Sequence, residues 1–484
     1  MKPERRRCNM AINFLDIKRS KCAYRADRTG DYDEVEIRPT TAEVAEQARR
    51  CINCGIPFCH GSGCPLGNNI PDFNAAVREN RLRDAYYILA QPSPFPEFTA
   101  RVCPALCEAS CTAGLPSDPV AIKQIEYEII ENAFKRGYVE PFKPRFYTGK
   151  RIAVVGSGPA GLSAADALAK KGHEVVVFEK NSNFGGLLRY GIPDFKLKKS
   201  VVERRIDILS SSGVTFEGGV EIGTDISAKY LKRKFDAVCL CLGTAVPRGL
   251  SDNVEGKGAR GVFFALDFLS SQNRVISGES PNLEISAKGK KVLVVGGGDT
   301  GSDCVGTAIR QGAKSVVQVE IMPEPPAQRH SSTPWPMWPY MLRTSSSHLE
   351  GCERLWAVNV KSIEVKGGFA KSATLARCEW TFDASGRPRS FTERKGEDFK
   401  IDADLILLSM GFTGVPKNGI VEELGILLNS RSMVAVDPSM LTNSDAVFAA
   451  GDCISGPSLV VRAMASGIAV SEKIHNYLTN TAKR

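Results

Sequence analysis

Seven of the 15 cysteines in this chain fall between Cys51 and Cys111, and their spacing indicates metal chemistry. In order, they are Cys51, Cys54, Cys59, Cys64, Cys103, Cys107 and Cys111. Thiolates at such short intervals are typical ligands of [4Fe–4S] clusters. Zinc is the alternative, because C-x2-C is also a zinc spacing and His60 lies nearby, but seven cysteines without a His-x3–5-His pair fit tetrahedral zinc sites poorly. We therefore expect iron–sulfur clusters here.

A glycine-rich turn at residues 156–161 indicates a dinucleotide site. It reads Gly156, Ser157, Gly158, Pro159, Ala160 and Gly161. It lies between a predicted strand and a predicted helix, where Gly156 permits the tight turn, Gly158 admits a pyrophosphate and Gly161 allows helix and strand to pack closely. Glu179 ends the next predicted strand, where a carboxylate can accept hydrogen bonds from a ribose diol. With both strands and the acid in place, the turn predicts nucleotide binding.

A second turn repeats this pattern about 140 residues later, at residues 296–301. It reads Gly296, Gly297, Gly298, Asp299, Thr300 and Gly301, and its second strand ends at Glu320. An acid at that position favours NADH, because it bonds a ribose 2′-hydroxyl and repels a 2′-phosphate. Arg329 lies downstream and could reach a phosphate instead, and Glu320 could equally be an exposed strand-end carboxylate. The choice between NADH and NADPH stays open at this point.

Three further segments resemble parts of the flavoproteins that have two dinucleotide-binding domains. A buried strand ending in Gly451-Asp452 resembles their second FAD motif, in which the aspartate bonds the ribityl chain. Residues 239–244, ending in Thr244, resemble the junction strand, and Gly185-Gly186-Leu187 resembles the glycine pair beside the flavin. This resemblance implies a discontinuous FAD domain with the nicotinamide domain inserted in it.

The change in sequence texture along the 484 residues predicts three domains. Residues 1–145 lack strand periodicity, with helical stretches predicted over residues 41–50, 70–90 and 119–136. They form a helical iron–sulfur domain that bound clusters would help to hold together. Residues 146–288 and 415–484 form the FAD-binding domain, and residues 289–414 form the NAD(P)H-binding domain. The predicted fold class is α/β, with a helical [4Fe–4S] module followed by two Rossmann-like domains.

Composition argues against several classes of function. The net charge of +9 is spread along the chain without a basic stripe interleaved with aromatics, so we expect no nucleic-acid binding. No apolar run approaches the roughly 20 residues of a membrane helix. The basic opening residues Arg5, Arg6 and Arg7 are not followed by an apolar segment typical of a secretory signal. A cytoplasmic location is therefore predicted.

Nearly the whole chain, from about residue 12 to the C-terminal helix, resembles the small (β) subunits of glutamate synthase. The most discriminating stretches are residues 51–72, 296–306 and 333–356. The N-terminal module also resembles one in dihydropyrimidine dehydrogenase. The resemblance implies one cluster on Cys51, Cys54, Cys59 and Cys111, and a second on Cys64, Cys103, Cys107 and a non-cysteine ligand. By position that ligand is Glu126, although a solvated helix-surface glutamate is the alternative.

The hypothesis is that NAD(P)H gives a hydride to FAD, which passes single electrons to the clusters. No residue is predicted to act as a chemical acid or base, and His348 is better interpreted as a packed loop histidine. The resemblance implies a large (α) subunit as the electron acceptor, and therefore a hetero-oligomer. The alternatives are a stand-alone NAD(P)H–ferredoxin or sulfide-linked reductase, and a non-catalytic assembly subunit with structural clusters.

Overall fold

The computed structural model describes residues 13–20, 22–383 and 386–481. The basic opening residues 5–7 lie outside these ranges. The chain separates into two compact units. The first takes its described residues from Met1–Ala23, Ile37–Val139 and Trp335–Pro339, and the second from Tyr24–Glu36, Glu140–Pro334 and Tyr340–Arg484.

The first unit is helical. Its helices are α1 (Thr41–Ala48), α2 (Ile70–Arg78), α3 (Leu82–Ala90), α4 (Pro96–Val102), α5 (Leu106–Ala109) and α6 (Ile122–Lys135). Shorter 3-10 turns lie at Phe14–Asp16 and Thr112–Gly114, and a π-helical turn lies at Cys59–Gly63. The sequence predicted one helical stretch over residues 70–90. The chain instead breaks between α2 and α3, where Asn80 takes a left-handed conformation (φ +58°) that no α-helix can include.

Helix α1 leads directly into the cysteine region, and both of its ends are anchored. A reciprocal capping box starts it: Thr40 accepts from the Glu43 N–H, and Glu43 accepts from the Thr40 N–H. Just beyond its end, the guanidinium of Arg50 is fully buried and donates to the carbonyls of Ile17 and Asp118. Arg50 thereby ties three separate segments together next to the first cysteine.

The core of the first unit includes its cysteines. Ile125 of α6 and Phe73 of α2 are fully buried in a cluster that also contains Cys59, Cys107 and Cys111. Burying each large apolar side chain contributes about 1.5–3 kcal/mol. The packing that stabilises this unit therefore also sets where the thiols lie.

The second unit contains mostly parallel sheets and the helices that cover them. Two short strands, β1 (Ala23–Tyr24) and β2 (Glu36–Ile37), pair with each other early in the chain. The strands that follow are β3 (Arg151–Val155), β4 (Glu174–Glu179), β5 (Thr215–Gly218), β6 (Ala237–Leu240), β7 (Val246–Pro247), β8 (Val262–Phe264), β9 (Lys291–Val295), β10 (Ser315–Glu320), β11 (Glu353–Trp356), β12 (Val358–Lys366), β13 (Phe369–Phe382), β14 (Pro388–Asp402), β15 (Leu405–Leu408), β16 (Phe412–Gly414) and β17 (Val447–Ala449).

The helices of the second unit connect these strands. They are α7 (Pro159–Lys170), α8 (Leu187–Tyr190), α9 (Lys199–Ser211), α10 (Ala228–Lys234), α11 (Ala265–Ile276), α12 (Asp299–Arg310), α13 (Ile420–Glu423), α14 (Asp452–Ser455) and α15 (Val460–Thr481), with a 3-10 turn at His348–Glu350. No helix within the described ranges is both long and apolar enough to cross a membrane.

Two five-stranded parallel sheets form the framework for the sites. The first has the order β17-β6-β3-β4-β5 and the second β11-β10-β9-β15-β8. In such sheets the strands read as apolar runs, and ligands bind beyond their carboxyl ends. The antiparallel pair β7–β16 lies where the chain leaves the first sheet and later returns to it, and β12, β13 and β14 form a separate antiparallel sheet.

A buried histidine pair joins the end of α7 to α15. His173 and His475 contact each other through ring nitrogens 2.9 Å apart, and His173 is 4% exposed. Burial lowers the pKa of His173 to about 4, with a smaller contribution from His475. The folded protein thus favours the neutral ring, while an unfolded chain takes up a proton near pH 6.5.

We expect this pair to make the second unit sensitive to acid. The pKa of His173 is lower in the folded chain than in the unfolded chain. The free energy of unfolding is therefore unaffected by this ring above about pH 6.5 and decreases as the pH falls towards 4. At pH 5 the decrease is roughly 1–2 kcal/mol. Thermal unfolding followed at pH 7.5 and pH 5 should show a larger fall in midpoint for the wild type than for His173→Asn. His330→Asn is the control, and an equal fall in His173→Asn would refute the prediction.

Candidate functional site

The first glycine turn, between β3 and α7, is shaped by close backbone contacts. Gly156 has φ +103°, and a side chain there would lie 2.3 Å from the carbonyl oxygen of Cys241. A side chain at Gly161 would lie 1.9 Å from the Gly156 carbonyl oxygen. A side chain at Gly158, in contrast, would meet no atom within 4 Å. The turn thus leaves open space above the middle glycine, where the sequence predicted a pyrophosphate.

Helix α7 begins at Pro159 and Ala160 directly after this open space. Pro159 suits the first helical position because that residue has no intrahelical N–H bond to lose. The free N–H groups of the first turn and the helix dipole together favour an anion at this end.

Glu179, at the end of β4, is held under the same turn. Its Oε2 accepts from the backbone N–H of Ser157 at 3.1 Å, and its Oε1 accepts from that of Asn181 at 3.0 Å. The hydroxyl of Ser157 also donates to Oε2 at 2.6 Å. The carboxylate is 5% exposed, so it has one fixed orientation beside the adenosine end of the predicted site.

Residues far along the chain close around this turn. A side chain at Gly451 would lie 2.7 Å from the Ala160 side chain, and one at Gly467 would lie 2.2 Å from the Ala160 carbonyl oxygen. Asp452 follows at the start of α14, where Ser458 donates to its Oδ1 at 2.7 Å and burial raises the pKa of its carboxyl. The tertiary fold therefore brings the Gly451-Asp452 segment to the first turn, although nearly 300 residues separate them.

Gly186 lies against the same turn, since a side chain there would be 2.8 Å from the Gly158 Cα. Leu187 begins α8 and is 45% exposed, while Thr244 is buried three residues beyond Cys241. The open space over Gly158 and the anchored Glu179 fit a bound FAD, with Gly186 and Asp452 on the walls. All of these residues, with Thr244 and Leu187, stay predictions.

The second turn, between β9 and α12, repeats this construction. Gly296 has φ +120° and would place a side chain 2.4 Å from the Ser409 carbonyl oxygen. A side chain at Gly301 would lie 2.3 Å from the Gly296 carbonyl oxygen, whereas one at Gly298 would meet nothing within 4 Å. Asp299 and Thr300 are the first residues of α12. The second turn therefore fits a second dinucleotide.

A chain of hydrogen bonds supports this second turn from beneath. The side-chain N–H of Gln318 donates to the Gly296 carbonyl oxygen at 2.8 Å. His348 Nε2 lies 2.8 Å from Gln318 Oε1. His348 Nδ1 accepts from the Ser345 N–H, so Nε2 is the protonated nitrogen of the neutral ring. Burial lowers the pKa of His348 to about 4. His348 is thus a packed loop histidine, as the sequence analysis favoured.

Arg343 is a residue of this site that sequence reasoning missed. Burial lowers the pKa of its guanidinium, while the nearby charge of Asp299 raises it and that of Arg329 lowers it. Arg343 therefore lies near the start of α12, at the end of the site where a pyrophosphate is expected, and Arg329 lies near Arg343. The only signal in the sequence was that Arg343 precedes the Thr-Ser-Ser-Ser-His run.

In the first unit, the four thiols predicted for the first cluster line one pocket. It encloses about 320 Å³, part of it open to solvent. Its cysteines are Cys51, Cys54, Cys59 and Cys111. Burial raises the pKa of the Cys59 thiol to about 12, and the other three thiols of the pocket raise it further. Bound cations would hold these groups as thiolates, which is what a cluster supplies.

Glu126 lies with the remaining three thiols. It is 5% exposed on α6, and its Oε1 accepts from the side-chain amide of Asn68 at 2.8 Å. Its negative charge raises the pKa values of Cys64, Cys103 and Cys107, after the larger effect of burial. Burial likewise raises the pKa of Glu126 to about 7. A buried carboxylate among three thiols is a donor set that fits a cluster, and it does not fit a solvated helix-surface glutamate.

Backbone N–H groups point at the thiols of both sets. The N–H groups of residues 66–68 lower the pKa of Cys64, that of Ala105 lowers the pKa of Cys103 and that of Ala113 lowers the pKa of Cys111, each against the larger effect of burial. Ala105 (φ +65°) and Asn53 (φ +49°) take left-handed conformations inside the two ligand loops. Such turns are uncommon for alanine, so they mark loops shaped for their ligands. Within the described residues, no three side chains converge closely enough for a single metal ion.

Trp335 and Pro336, within the discriminating stretch of residues 333–356, belong to the first unit. Trp335 stacks against Phe58 with ring centroids 4.7 Å apart, and the Pro336 carbonyl accepts from the Ser110 hydroxyl at 2.9 Å. These two partners immediately precede Cys59 and Cys111 in the chain. Trp335 and Pro336 thus pack against the segments that carry two of the predicted cluster ligands.

Comparison with known proteins agrees with both sites. Residues 150–467 match the family model described as pyridine nucleotide-disulphide oxidoreductase, and residues 28–138 match dihydropyrimidine dehydrogenase domain II, 4Fe-4S cluster. The glutamate synthase (NADPH) small chain of Mycobacterium tuberculosis H37Rv is 46% identical over 94% of this chain and 92% of its own length. This chain belongs to the glutamate synthase small-chain family.

Two further comparisons extend the likeness to a longer relative and to a solved structure. Glutamate synthase (NADH) of Saccharomyces cerevisiae is 40% identical over 96% of this chain, which corresponds to 22% of that protein. The structure of M. tuberculosis FprA in complex with NADPH has a TM-score of 0.56 at 20% identity, and covers 69% of this chain and 86% of its own. The latter shows a shared fold alone.

The family membership confirms several predictions from the sequence. The chain has the predicted α/β fold with an N-terminal 4Fe-4S module. It is an NAD(P)H-dependent flavin oxidoreductase whose cofactors are FAD, a nicotinamide nucleotide and [4Fe–4S] clusters. The individual ligand residues and the number of clusters stay predictions.

Proposed function

We propose that this small chain is the electron-input half of a glutamate synthase. It oxidises NAD(P)H and delivers electrons to a large chain, which makes glutamate from glutamine and 2-oxoglutarate. The observation that carries the proposal is the likeness to glutamate synthase small chains along almost the full length, including both turns and both cysteine segments. No residue of this chain acts as a chemical acid or base in the proposal.

The residues divide the work of binding and positioning. Bound FAD supplies the hydride acceptor and the source of single electrons. The first turn binds its pyrophosphate, Glu179 its adenosine ribose and Asp452 its ribityl chain. The second turn orients the nicotinamide nucleotide. The seven thiols hold two clusters. The four thiols that line the pocket of Cys59 hold one cluster, and the three thiols around Glu126 hold the other, with Glu126 as the eighth ligand.

We also propose the three-domain division predicted from the sequence, with one change. The second parallel sheet includes β8, and α11 packs in the core beside it. Both lie before residue 289, so the nicotinamide domain is proposed to begin near residue 262. The hetero-oligomer with a large chain and a cytoplasmic location remain predictions of the same kind.

An anaerobic reconstitution tests the function. The holo-chain alone should oxidise NAD(P)H with ferricyanide, and its cluster absorbance should bleach after that of the flavin. With the large chain of the same organism, oxidation should require both glutamine and 2-oxoglutarate. Oxidation that needs neither substrate would refute the glutamate synthase assignment and favour a stand-alone reductase. Clusters that never bleach would indicate a structural role instead.

A further inference from the structure

Two acids occupy matching places at the two nucleotide turns. Glu179 ends β4 and Glu320 ends β10, and each strand is the neighbour of the strand that leads into its turn. Oε2 of Glu320 accepts from the Gly297 N–H at 2.6 Å, and Oε1 accepts from the Met322 N–H at 2.9 Å. Glu179 is bound in the same way, by the second residue of its turn and by the residue two places beyond its strand. The two carboxylates are therefore presented in equivalent positions.

The first site provides an internal reference for the second. The adenosine ribose of FAD bears free 2′- and 3′-hydroxyls, and a strand-end carboxylate is the group that accepts hydrogen bonds from such a diol. Because Glu320 repeats the geometry of Glu179, the second site presents the same acceptor to the adenosine ribose of its own nucleotide. NADH has that free diol, whereas NADPH has a 2′-phosphate in its place.

The carboxylate of Glu320 is held in place close against Gly297. A side chain at Gly297 would lie 2.7 Å from Glu320 Oε2 and 3.1 Å from its Cβ. Swinging away for a phosphate would break two charge-assisted hydrogen bonds to backbone N–H groups. At an effective dielectric of about 20, repulsion of a like charge 4 Å from this carboxylate corresponds to roughly a 1,000-fold loss of affinity.

The charges around Glu320 also favour a free diol. No lysine or arginine occurs between Glu320 and Arg329, and the one charged residue in that stretch is Glu324. The guanidinium of Arg354 on β11 lies 4.7 Å from the ring centroid of Trp356. Cys352 and Glu324 both raise the pKa of Arg354 by electrostatic attraction. Arg343 instead faces Asp299 at the start of α12. Arg329 donates to the Thr333 carbonyl oxygen at 3.0 Å, so each of these three arginines has a partner other than Glu320.

We infer that Glu320 makes this chain specific for NADH over NADPH. The inference rests on the proposed function only in taking the second turn as the nicotinamide site. Relatives named for either nucleotide match this chain, so family membership does not decide the question.

Binding to the FAD-loaded chain tests the inference without electron transfer. Titration calorimetry should show that ADP-ribose binds at least roughly 100-fold more tightly than 2′-phosphorylated ADP-ribose. Glu320→Gln keeps an acceptor for one backbone N–H but loses the charge, and Glu320→Ser also removes the bulk. Each should shrink the preference at least about tenfold, and the kcat/KM ratio for NADH and NADPH with ferricyanide should shrink in parallel.

Glu324→Gln is the matched control, since it removes the neighbouring acid and should leave the preference within about threefold of the wild type. Arg354→Gln tests the rival interpretation, and a selective loss of 2′-phosphorylated ligand there would overturn the inference. So would a wild-type preference for the phosphorylated form, an unchanged preference in both Glu320 variants, or binding of neither compound. A chain that binds ADP-ribose selectively but fails with the large chain refutes the proposed function and leaves this inference standing.

Discussion

Gly158→Asp should yield a chain that folds and keeps its clusters but contains almost no FAD. Nothing lies within 4 Å of a side chain at this position, so the protein itself can accommodate the aspartate. The new carboxylate would fill the space over the turn and face the pyrophosphate. Two like charges about 4 Å apart at an effective dielectric of about 20 repel by about 4 kcal/mol, which corresponds to roughly a 1,000-fold loss of affinity.

The measurements are FAD per chain, iron per chain and ferricyanide-dependent NADH oxidation. We expect FAD and activity to be lost together, while the iron content stays at the wild-type value. Gly249→Asp is the control, because Gly249 is exposed, has no neighbour within 4 Å and does not need a left-handed backbone. A Gly158→Asp chain that retains FAD would show that the first turn is not the flavin site.

Gly298→Asp provides a matched comparison at the second turn. Its side chain would be equally free of contacts in the protein. FAD should therefore remain bound in this variant, while NADH no longer bleaches the flavin. The pair of variants separates the two nucleotide sites, which are otherwise built alike.

Cys107→Ser should remove one cluster and destabilise the first unit. Cys107 is fully enclosed in the core, and its Cα would lie 2.7 Å from a side chain at Gly63. A serine hydroxyl is a far poorer ligand for iron than a thiolate, and it leaves a polar group in an apolar site. Iron should fall from roughly eight to four atoms per chain, and electron delivery to the large chain should be lost.

The same cluster should respond to Glu126. Glu126→Ala removes the proposed eighth ligand and should lower the iron content as Cys107→Ser does, whereas Glu126→Cys restores a ligand and should recover it. Cys22→Ser is the control, because Cys22 is exposed and outside both ligand sets. If Glu126→Ala keeps its full iron content and both clusters keep their reduction potentials, Glu126 is not a cluster ligand and its role is structural.

Much of the local architecture was predictable because it depends on short-range chemistry. In both turns, the first and third glycines are required by backbone oxygens within about 2.5 Å of any side chain, as the spacing predicted. A strand precedes each turn and a helix follows it, as predicted. The break at Asn80 was missed, since a single left-handed residue interrupts a pattern that otherwise reads as continuous helix.

What the sequence determined by itself is therefore the inventory: two nucleotide turns, each with its acid, and seven thiols in two segments. Each is encoded over a few residues, where backbone conformation and ligand spacing are local properties. The tertiary structure alone decided which distant groups meet. Packing places Gly451 against the first turn, Glu126 among three thiols and Trp335 against Phe58. It also anchors Glu320 beneath Gly297, because only the pairing of β9 with β10 brings that carboxylate to those N–H groups.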